Sequence, residues 1–409
     1  MKAVVIGGGL AGLTAAIRLL EGGAKVTMIT AGVGGMQLSQ GTLDVLGYCP
    51  DRLENPFDGF PSLPEHHPYR VLDTDTVRSS VASIANELGL AGTENRNLWL
   101  PTAVGAIRPT AWAPPSLASA DVHEVSSFAV VGVRQLKDFQ ADLIAGNLSR
   151  TELGGRRLTA TPSWIDFEPR RGEVDPSAVH FAQALDAPEK LVEFASRIRA
   201  SAGPADMILV PAVIGLREPT AWDKFAEAAG RPVAEVAMQP PNVPGIRINN
   251  ALLARARELG MRHVQGAFVE GFNAQGSVVR TLVVTSGGRR RSIGCDAVVH
   301  APGGFESGGL KVDSRGRIEE RVFGLPLTSS SAEGLLSDDV WAAHPLFEVG
   351  VRVDERMRPV DEDGAPVFEN LYTAGGLLAG AQRWQEKSGD GIAVASAARA
   401  ATSILGGAA

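Results

Sequence analysis

The chain opens with a pattern of apolar and small residues that predicts a strand, a tight turn and a helix. Ala3–Ile6 is a continuous apolar run, as expected for a parallel strand buried on both faces. Glycines follow, and from Leu10 onward the pattern is that of a helix opening directly out of the turn. Gly7, Gly9 and Gly12 form a G-x-G-x-x-G motif. The sequence therefore predicts the first strand–helix unit of a nucleotide-binding fold.

Each glycine of this motif has a physical purpose when a nucleotide is bound. The first permits the turn, the second lets the backbone approach a phosphate, and the third lets helix and strand pack closely. The helix start offers free N–H groups and positive dipole to an anion. The alternative is an ordinary strand–turn–helix without a ligand. We predict cofactor contacts at Gly7, Gly8, Gly9, Leu10, Ala11 and Gly12.

The second predicted strand, Ala24–Thr30, lacks a residue that this fold normally uses. In a dinucleotide fold the strand ends in an acid, which accepts hydrogen bonds from the adenosine ribose. Here the position holds Thr30, followed by Ala31 and Gly32. Either a neutral hydroxyl and backbone groups hold the ribose, or the nucleotide is shorter and ends at its phosphate. The second interpretation indicates FMN rather than FAD.

A loop rich in glycine and polar residues, Gly34–Gly47, follows this strand. In flavoproteins built this way, the loop after the second strand often passes beside the flavin ring. We expect small hydrogen-bonding groups there from four consecutive residues: Ser39, Gln40, Gly41 and Thr42. The alternative is an ordinary surface loop.

The middle of the chain predicts a second domain without a recognisable chemical motif. Pro50–Arg70 is rich in proline and acidic residues, which marks an excursion or a domain boundary. Its adjacent His66 and His67 have no other His or Cys at ligand spacing, so we expect a solvated loop rather than a metal site. A predicted helix at Asp73–Leu90 leads into alternating strand and helix patterns.

A return to the first domain is predicted from the pattern that follows. Prolines in Pro240–Arg247 predict a stiff loop, and Asn249–Gly260 has the apolar stripe of an amphipathic helix. Two alternating strands joined by a turn come next. The buried strand Asp296–Ala301 then ends in glycines, and Gly303 and Gly304 would again let the backbone approach a cofactor.

The C-terminal segment repeats the strand–glycine–helix pattern. Asn370–Ala374 predicts a strand, and the small apolar residues from Ile392 onward predict a helix. The glycine-rich start of this helix would aim N–H groups at the pyrimidine edge of a flavin and stabilise negative charge on the reduced ring. The alternative is a helix that merely packs. The predicted contacts are Gly375, Gly376, Gly389, Gly391 and Ile392.

Composition indicates a soluble globular protein of more than one domain. The chain has 409 residues, of which 44% are hydrophobic and 21% charged. A net charge of -7 argues against nucleic acid as a partner. We expect a cytoplasmic location, because no apolar run is long enough for a membrane helix and the N-terminus lacks signal-peptide features. Two cysteines, Cys49 and Cys295, are too few for an all-cysteine iron–sulfur cluster.

With both ends considered, the chain resembles the two-domain flavoproteins related to fumarate reductase and succinate dehydrogenase. The similarity lies in VVIGGGLAGLTAA, DAVVHAPGGF, ENLYTAGGLLAG and SGDGIAVASAARAA. Within that superfamily, SQGTLDVLG, GRIEERVFGLPL and NLYTAGGLLAG are similar to the B subunit of anaerobic glycerol-3-phosphate dehydrogenase. The missing acid at Thr30 fits a family associated with FMN.

The resemblance implies a fold and a division of the chain. The fold class is α/β, with a Rossmann-like FAD/NAD(P)-binding domain that has a parallel sheet and a β-meander, plus an inserted α+β cap or substrate domain. We expect the nucleotide-binding domain at residues 1–70, 246–310 and 351–409. The inserted domain is expected at residues 71–245, and a cap-like excursion at residues 311–350.

The resemblance also implies a complex and a reaction. A partner flavoprotein and this chain would form a soluble catalytic dimer, which an iron–sulfur subunit attaches to the cytoplasmic face of the membrane. The complex would oxidise sn-glycerol 3-phosphate to dihydroxyacetone phosphate and pass two electrons to quinone, for fumarate or nitrate respiration. The expected cofactor is FMN, with FAD as the alternative, and no metal is expected.

The catalytic base is not assigned from the sequence. It must lie within hydrogen-bond reach of the substrate hydroxyl. The candidates nearest the cofactor motifs are His344, Arg383 and Lys387, with His300 inside a buried strand. The Arg and His set with which fumarate reductases hold a dicarboxylate has no counterpart that we place here. Two other functions stay open: a self-sufficient FAD oxidoreductase acting on another small substrate, and a structural or electron-relay subunit without catalysis.

Overall fold

The structure is a computed structural model and describes residues 1–406. Its strands are β1 (Lys2–Ile6), β2 (Lys25–Thr30), β3 (Ala91–Gly92), β4 (Leu98–Pro101), β5 (Ile107–Thr110), β6 (Trp112–Ala113), β7 (Ser127–Val133), β8 (Glu152–Leu153), β9 (Arg156–Arg157), β10 (Thr159–Ile165), β11 (Met207–Pro211), β12 (Val233–Val236), β13 (Arg262–Gln265), β14 (Ala267–Gln275), β15 (Val278–Ser286), β16 (Arg289–Gly294), β17 (Ala297–His300), β18 (Leu310–Val312), β19 (Ile318–Glu320) and β20 (Leu371–Thr373). Its α-helices are α1 (Leu10–Glu21), α2 (Pro68–Val71), α3 (Thr74–Glu87), α4 (Pro115–Ala118), α5 (Ala141–Leu148), α6 (Ala178–Ala184), α7 (Pro188–Ser201), α8 (Ala221–Ala229), α9 (Val243–Glu258), α10 (Arg383–Glu386) and α11 (Gly389–Gly406).

The chain divides into two compact units. The first contains Met1–Gly35, Asp44–Asn86 and the residues from Asn249 onward, and the second contains Met36–Leu43 and Glu87–Ile248. Most of helix α3 lies in the first unit, whereas the sequence predicted it as part of the inserted domain. Its attachment to α1 includes a hydrogen bond of 2.9 Å from Arg18 Nη2 to Ser83 Oγ.

A five-stranded parallel sheet forms the centre of the first unit, in the order β13–β2–β1–β17–β20. Val4 of β1 is paired with Thr27 of β2 on one side and Val298 of β17 on the other. The apolar runs of β1 and β17 are fully buried, as parallel strands require. The order of strands reverses beside β1, and doubly wound sheets bind their ligands at such a reversal. The predicted α/β class with a parallel sheet is confirmed.

An antiparallel meander of β14, β15 and β16 accompanies this sheet. The sequence predicted the first two strands as a pair and missed the third. Nearly all of β16, Arg289–Gly294, is exposed, so it has no alternation of apolar and polar residues to reveal it. Pairing with β15 therefore forms this strand, through contacts such as Leu282 opposite Ile293.

The second unit has its own parallel sheet, in the order β10–β7–β11–β12. Helix α5 connects β7 to β10, and α8 connects β11 to β12. This alternation of strand and helix gives parallel pairing. The sequence predicted an α+β arrangement for the inserted domain, which does not include such a sheet. Five fully buried phenylalanines lie in its core: Phe128, Phe139, Phe181, Phe194 and Phe225.

The segment predicted as a stiff loop, Pro240–Arg247, is helical from Val243 onward. Pro244 lies in the first turn of α9, where the missing N–H costs no helical hydrogen bond. The N–H group of Asn242, just before the helix, donates to the carbonyl oxygen of Gln37 at 2.8 Å. The prolines therefore begin a helix instead of preventing one.

The last residue of β17, His300, is buried and bonded to β19. Its Nε2 lies 2.8 Å from Oε1 of Glu320, and neither side chain is exposed. The Glu320 carboxylate also accepts hydrogen bonds from the N–H groups of Val322, Phe323 and Leu325. Burial favours the neutral acid, but the hydrogen bond and charge of His300, with the backbone N–H groups, outweigh it and lower the pKa of Glu320. His300 thus has a structural role in attaching this segment to the sheet.

We predict that Glu320→Ala destabilises the protein by about 3 kcal/mol at neutral pH, because it leaves His300 and buried N–H groups without their partner. The control is Glu319→Ala, since Glu319 is exposed on the same strand. Because folding lowers the pKa of Glu320, the carboxylate stabilises the protein above the ordinary glutamate range. This contribution is lost as the pH falls through the lowered pKa. Denaturant unfolding at neutral and acidic pH measures the difference; equal stability of the two variants would contradict the prediction.

Candidate functional site

The glycine turn after β1 is held by close backbone contacts. Gly7 has φ of 107°, and a Cβ placed on it would lie 2.0 Å from the carbonyl oxygen of Ala301. A Cβ on Gly12 would lie 2.1 Å from the carbonyl oxygen of Gly7. Any side chain at these two positions would therefore collide with backbone. The first and third glycines are required by the packing of the turn itself.

The second glycine of the motif, Gly9, is different because a Cβ there would meet no atom within 4 Å. Gly9 is also the N-cap residue of α1 and makes no side-chain cap hydrogen bond. The next N–H groups, of Leu10, Ala11 and Gly12, belong to the first helical turn, whose N–H groups have no partner within a helix. An open cradle at the positive end of a helix fits the phosphate of a nucleotide.

Thr30, at the end of β2, is already engaged within the protein. It is buried, its Oγ1 lies 2.9 Å from Nε2 of His263, and its Cγ2 lies 2.8 Å from the Cβ position of Gly8. Burial, and then the charge of Arg257, lower the pKa of His263 and favour its neutral form. The sequence did not indicate His263, which reaches this point from β13. The end of β2 thus presents a neutral pair where related folds carry an acid.

The glycine pairs predicted at two distant places come together in the first unit. A Cβ on Gly376 would lie 3.2 Å from the backbone nitrogen of Gly304. Gly375 has φ of 74°, and a Cβ on it would lie 2.8 Å from the Cβ of Ala11 in α1. Gly303, with φ of 81°, precedes this contact. The ends of β1, β17 and β20 therefore converge; cofactor contacts at these glycines stay a prediction.

The start of α11 is packed against other parts of the first unit. The N–H group of Gly391 donates to the carbonyl oxygen of Asp44 at 2.8 Å, and that of Ile392 donates to Ser388 at 3.0 Å. Gly389 is the first residue of the helix. Because two of these N–H groups are bonded within the protein, a cofactor contact at Gly391 or Ile392 would have to use other atoms.

A buried network around Tyr69 supports this helix start, and the sequence did not reveal it. The Tyr69 hydroxyl donates to the carbonyl oxygens of Val45, at 2.7 Å, and Ser388, at 3.1 Å. His67 Nε2 lies 3.1 Å from Glu386 Oε2, and its Nδ1 accepts from the N–H of Tyr69. Burial and then the nearby Glu386 raise the pKa of Tyr69 well above its ordinary value. The expectation of a solvated loop is wrong for His67, which is fully buried.

The residues predicted to lie beside the flavin ring fall in the second unit. Ser39 Oγ donates to the carbonyl oxygen of Met36 at 2.9 Å and accepts from the N–H of Gly41 at 3.2 Å. Thr42 Oγ1 accepts from Arg108 at 3.1 Å, and Gln40 is half-buried. Gly41 has φ of 73°, which favours glycine. These contacts give the loop a defined structure; a role beside a cofactor stays a prediction.

Arg383 is a cation beside the convergent glycines, with 15% of its side chain exposed. One of its guanidinium nitrogens, Nη2, lies 3.5 Å from Glu306 Oε1 and 3.0 Å from the Cβ position of Gly304. Burial lowers the pKa of Arg383, while Glu306 and Glu386 act in the opposite direction. A cavity of about 490 Å³, large enough for a small ligand, is lined by Glu306 and by the chain neighbours of Arg383. Its lining consists of Phe305, Glu306, His344, Phe347, Gln382, Trp384 and Gln385.

The other two catalytic candidates have structural contacts. His344 Nδ1 lies 3.3 Å from the backbone nitrogen of Ser337, and Nε2 lies 3.3 Å from the carbonyl oxygen of Val340. Both ring nitrogens are therefore occupied, which leaves neither free as a base. Lys387 has φ of 54° and ends the short helix α10.

Neither a metal-ligand cluster nor a membrane-spanning helix occurs within residues 1–406. Among residues 1–406, no group of three or more His, Cys, Asp or Glu residues is arranged to hold a metal ion. Within the same part of the chain, no helix has both the length and the apolar character needed to cross a membrane.

The fold and the glycine cradle define a nucleotide-binding flavoprotein, and the family comparison agrees. The model of the FAD binding domain family matches residues 2–392. A protein of Halobacterium salinarum, named as a probable B subunit of anaerobic glycerol-3-phosphate dehydrogenase, is 32% identical over 98% of this chain and 97% of its own length. The corresponding B subunit of Pectobacterium atrosepticum is 31% identical over 98% of both chains. The chain belongs to the family of B subunits of anaerobic glycerol-3-phosphate dehydrogenase, within the FAD binding domain class.

This result confirms the family that the sequence segments indicated. It supports a flavin cofactor, and specifically FAD, but gives no support to FMN. Solved structures resemble the chain more distantly. A flavocytochrome c3 fumarate reductase is 10% identical with a TM-score of 0.45, covering 99% of this chain and 78% of that one. The 3-ketosteroid delta1-dehydrogenase of Sterolibacterium denitrificans is 11% identical with a TM-score of 0.45, covering 99% of each chain.

The geometry of the turn predicts that one glycine substitution mainly lowers flavin binding and another mainly lowers stability. Gly9→Ala adds a methyl group in open space, so stability should change by less than about 1 kcal/mol while flavin retention falls. Gly12→Ala forces a methyl group against the backbone of Gly7, so the folded protein should lose at least about 2 kcal/mol. Thermal unfolding and the flavin absorbance of the purified variants measure the two effects. A Gly9→Ala protein with full flavin content would contradict the phosphate cradle.

Proposed function

We propose that this chain is the flavin-binding B subunit of an anaerobic, quinone-linked glycerol-3-phosphate dehydrogenase. The complex oxidises sn-glycerol 3-phosphate to dihydroxyacetone phosphate and passes electrons to quinone, in fumarate or nitrate respiration. The observation that carries the proposal is similarity to named B subunits over 98% of the chain. The open cradle at Gly9 supports a nucleotide cofactor in this chain rather than in its partners alone.

The cofactor proposed for the cradle is FAD. The family match supports it, and the uncapped start of α1 offers N–H groups to its phosphates. The ribose would then be held without an acid, because Thr30 is paired with His263 at the end of β2. Because the Thr30–His263 pair provides no acid for an adenosine ribose, the test also includes FMN, which has no such ribose.

When bound, the flavin supplies a two-electron acceptor, and the residues of the chain bind and orient what reacts with it. We assign Arg383 to the anionic phosphate of the substrate, because a half-buried guanidinium beside the convergent glycines is suited to an oxyanion. Glu306, at 3.5 Å, orients it. Since both ring nitrogens of His344 are engaged, we do not assign the proton-accepting role to it.

The proposed partners are a second flavoprotein subunit and an iron–sulfur subunit that anchors the complex. The B-subunit names of the relatives support a complex of several subunits. Cys49 and Cys295 are both free thiols, so clusters would be carried by another chain. In this arrangement the chain lies on the inner face of the cell membrane, attached through its partners.

The test is co-expression with the adjacent dehydrogenase subunits, followed by purification, mass analysis of the released flavin and a dye assay with sn-glycerol 3-phosphate. A complex that holds flavin on this chain and reduces the dye supports the proposal. A chain that purifies alone with FAD and ignores glycerol phosphate would indicate a self-sufficient oxidoreductase. A complex whose activity is unchanged when this chain lacks flavin would indicate a structural subunit.

We predict that Arg383→Gln raises the KM for sn-glycerol 3-phosphate by about 10-fold to 100-fold, because a charge-assisted hydrogen bond to phosphate is lost. Arg352→Gln is the matched control, since Arg352 is exposed elsewhere in the first unit. Steady-state kinetics of the purified complex measure the effect, with flavin content as the check on folding. An unchanged KM in the Arg383→Gln complex would remove Arg383 from the substrate site.

A further inference from the structure

The first unit exposes a group of large apolar side chains on the segment before residue 350 and on α10. Trp341 is 91% exposed, Val340 74%, Leu336 56%, Trp384 53% and Phe347 37%. Trp341 and Trp384 are the two exposed tryptophans within residues 1–406. Single exposed apolar residues need no explanation, but several on one short segment and on α10 indicate an interaction surface. We call these five residues the aromatic surface.

Phe347 and Trp384 are in direct contact, and hydrogen bonds connect the chain around Leu336 and Val340 to the same segment. The ring centroids of Phe347 and Trp384 lie 6.0 Å apart, and those of His344 and Phe347 lie 6.3 Å apart. His344 Nε2 in turn lies 3.3 Å from the carbonyl oxygen of Val340, which precedes Trp341. The backbone nitrogen of Leu346 donates to the carbonyl oxygen of Leu335 at 3.1 Å, next to Leu336. The hydrogen bonds connect residues 335–346 of the segment with one another.

The segment that carries four of these five residues bears charge of one sign, whereas Trp384 lies on α10 with Arg383 and Glu386 and is followed by Lys387. Residues 322–351 contain four acidic residues and no lysine or arginine. Glu333, Asp338 and Asp339 are exposed, and Glu348 is half-buried. A partner that covers the aromatic surface must therefore bring positive charge to its rim, since like charges across an interface are costly.

The negative charge of this segment favours a protein over a membrane as the partner. Tryptophan and valine could enter the lipid headgroup region, but the inner leaflet is anionic and repels an acidic rim. A protein surface with an apolar centre and a rim of lysine and arginine has no such penalty. Tryptophan is also the residue type that most often contributes large binding energy when buried at a protein interface.

We propose that the aromatic surface is the docking site for another protein subunit of the dehydrogenase complex, one whose contact face is apolar at its centre and basic at its rim. The inference rests on the proposed function, because it takes the partner from the same complex. It adds the place on this chain where that partner docks. Because Phe347 and Trp384 also line the 490 Å³ cavity, the docked partner would lie over its mouth.

The experiment compares three variants of the chain with the wild type, each co-expressed with the other subunits. The test variant is Val340→Ser/Trp341→Ser, and the matched control is Phe268→Ser, since Phe268 is 57% exposed on β14. Glu333→Lys/Asp338→Lys tests the rim. We expect the test variant to bind the other subunits at least 10-fold more weakly by titration, the rim variant to bind more weakly with a flatter salt dependence, and the control to bind as the wild type does.

Tryptophan fluorescence gives a second measurement. Acrylamide quenching of the wild-type chain should fall when the complex forms, because Trp341 becomes covered, and this change should be absent in the Val340→Ser/Trp341→Ser variant. Flavin content of each isolated form reports on folding.

The outcomes separate the inference from the proposed function. If the wild-type chain forms no complex with these subunits, the proposed function fails and the docking site with it. A wild-type complex that the test variant forms equally well overturns the docking site alone. Loss of binding to vesicles of anionic phospholipid by the test variant, with assembly of the complex intact, would identify the aromatic surface as a membrane contact and also overturn the proposal.

Discussion

The site depends on a contact between backbone atoms. Gly7 and Gly12 have no side chains, so the turn after β1 can press against Ala301 on one side and α1 on the other. In this packing, the start of α1 at Gly9 faces open space. The segment after β17 lies against the glycine turn. Only glycine fits at these two positions. The ends of β1, β17 and β20, which are distant in sequence, can therefore lie around one cradle.

The parts that sequence predicted well are those fixed by neighbouring residues. The strand, glycine turn and helix at the N-terminus follow from local pattern, and so does the glycine pair that ends β20. The segments around Gly304 and Gly376 were predicted separately as cofactor contacts, and the parallel sheet makes them adjacent. Periodicity also indicated alternating strands and helices in the second unit, although not the parallel order of its strands, which depends on the path of the connecting helices.

The parts that sequence did not predict depend on partners far along the chain. His67 looked like a loop residue because nothing near it marks Glu386, 319 positions away, as its partner. Thr30 looked like a missing acid, whereas its neighbour His263 comes from a strand that follows the entire second unit. In both cases a polar side chain forms its hydrogen bond with a residue that no local sequence pattern connects to it. The pairing therefore exists only in the folded protein.

The strand order of the first sheet has a consequence for synthesis. Its five strands are collected from residues 2 to 373, with the second unit, largely residues 87–248, encoded between them. During synthesis on the ribosome, the second unit emerges as an almost continuous stretch. All residues of its core are therefore available well before the chain is finished. The sheet of the first unit is complete only after β20 has been synthesised, so β1 and β2 stay exposed until then. The first unit is therefore the part of the nascent chain that most needs protection from aggregation.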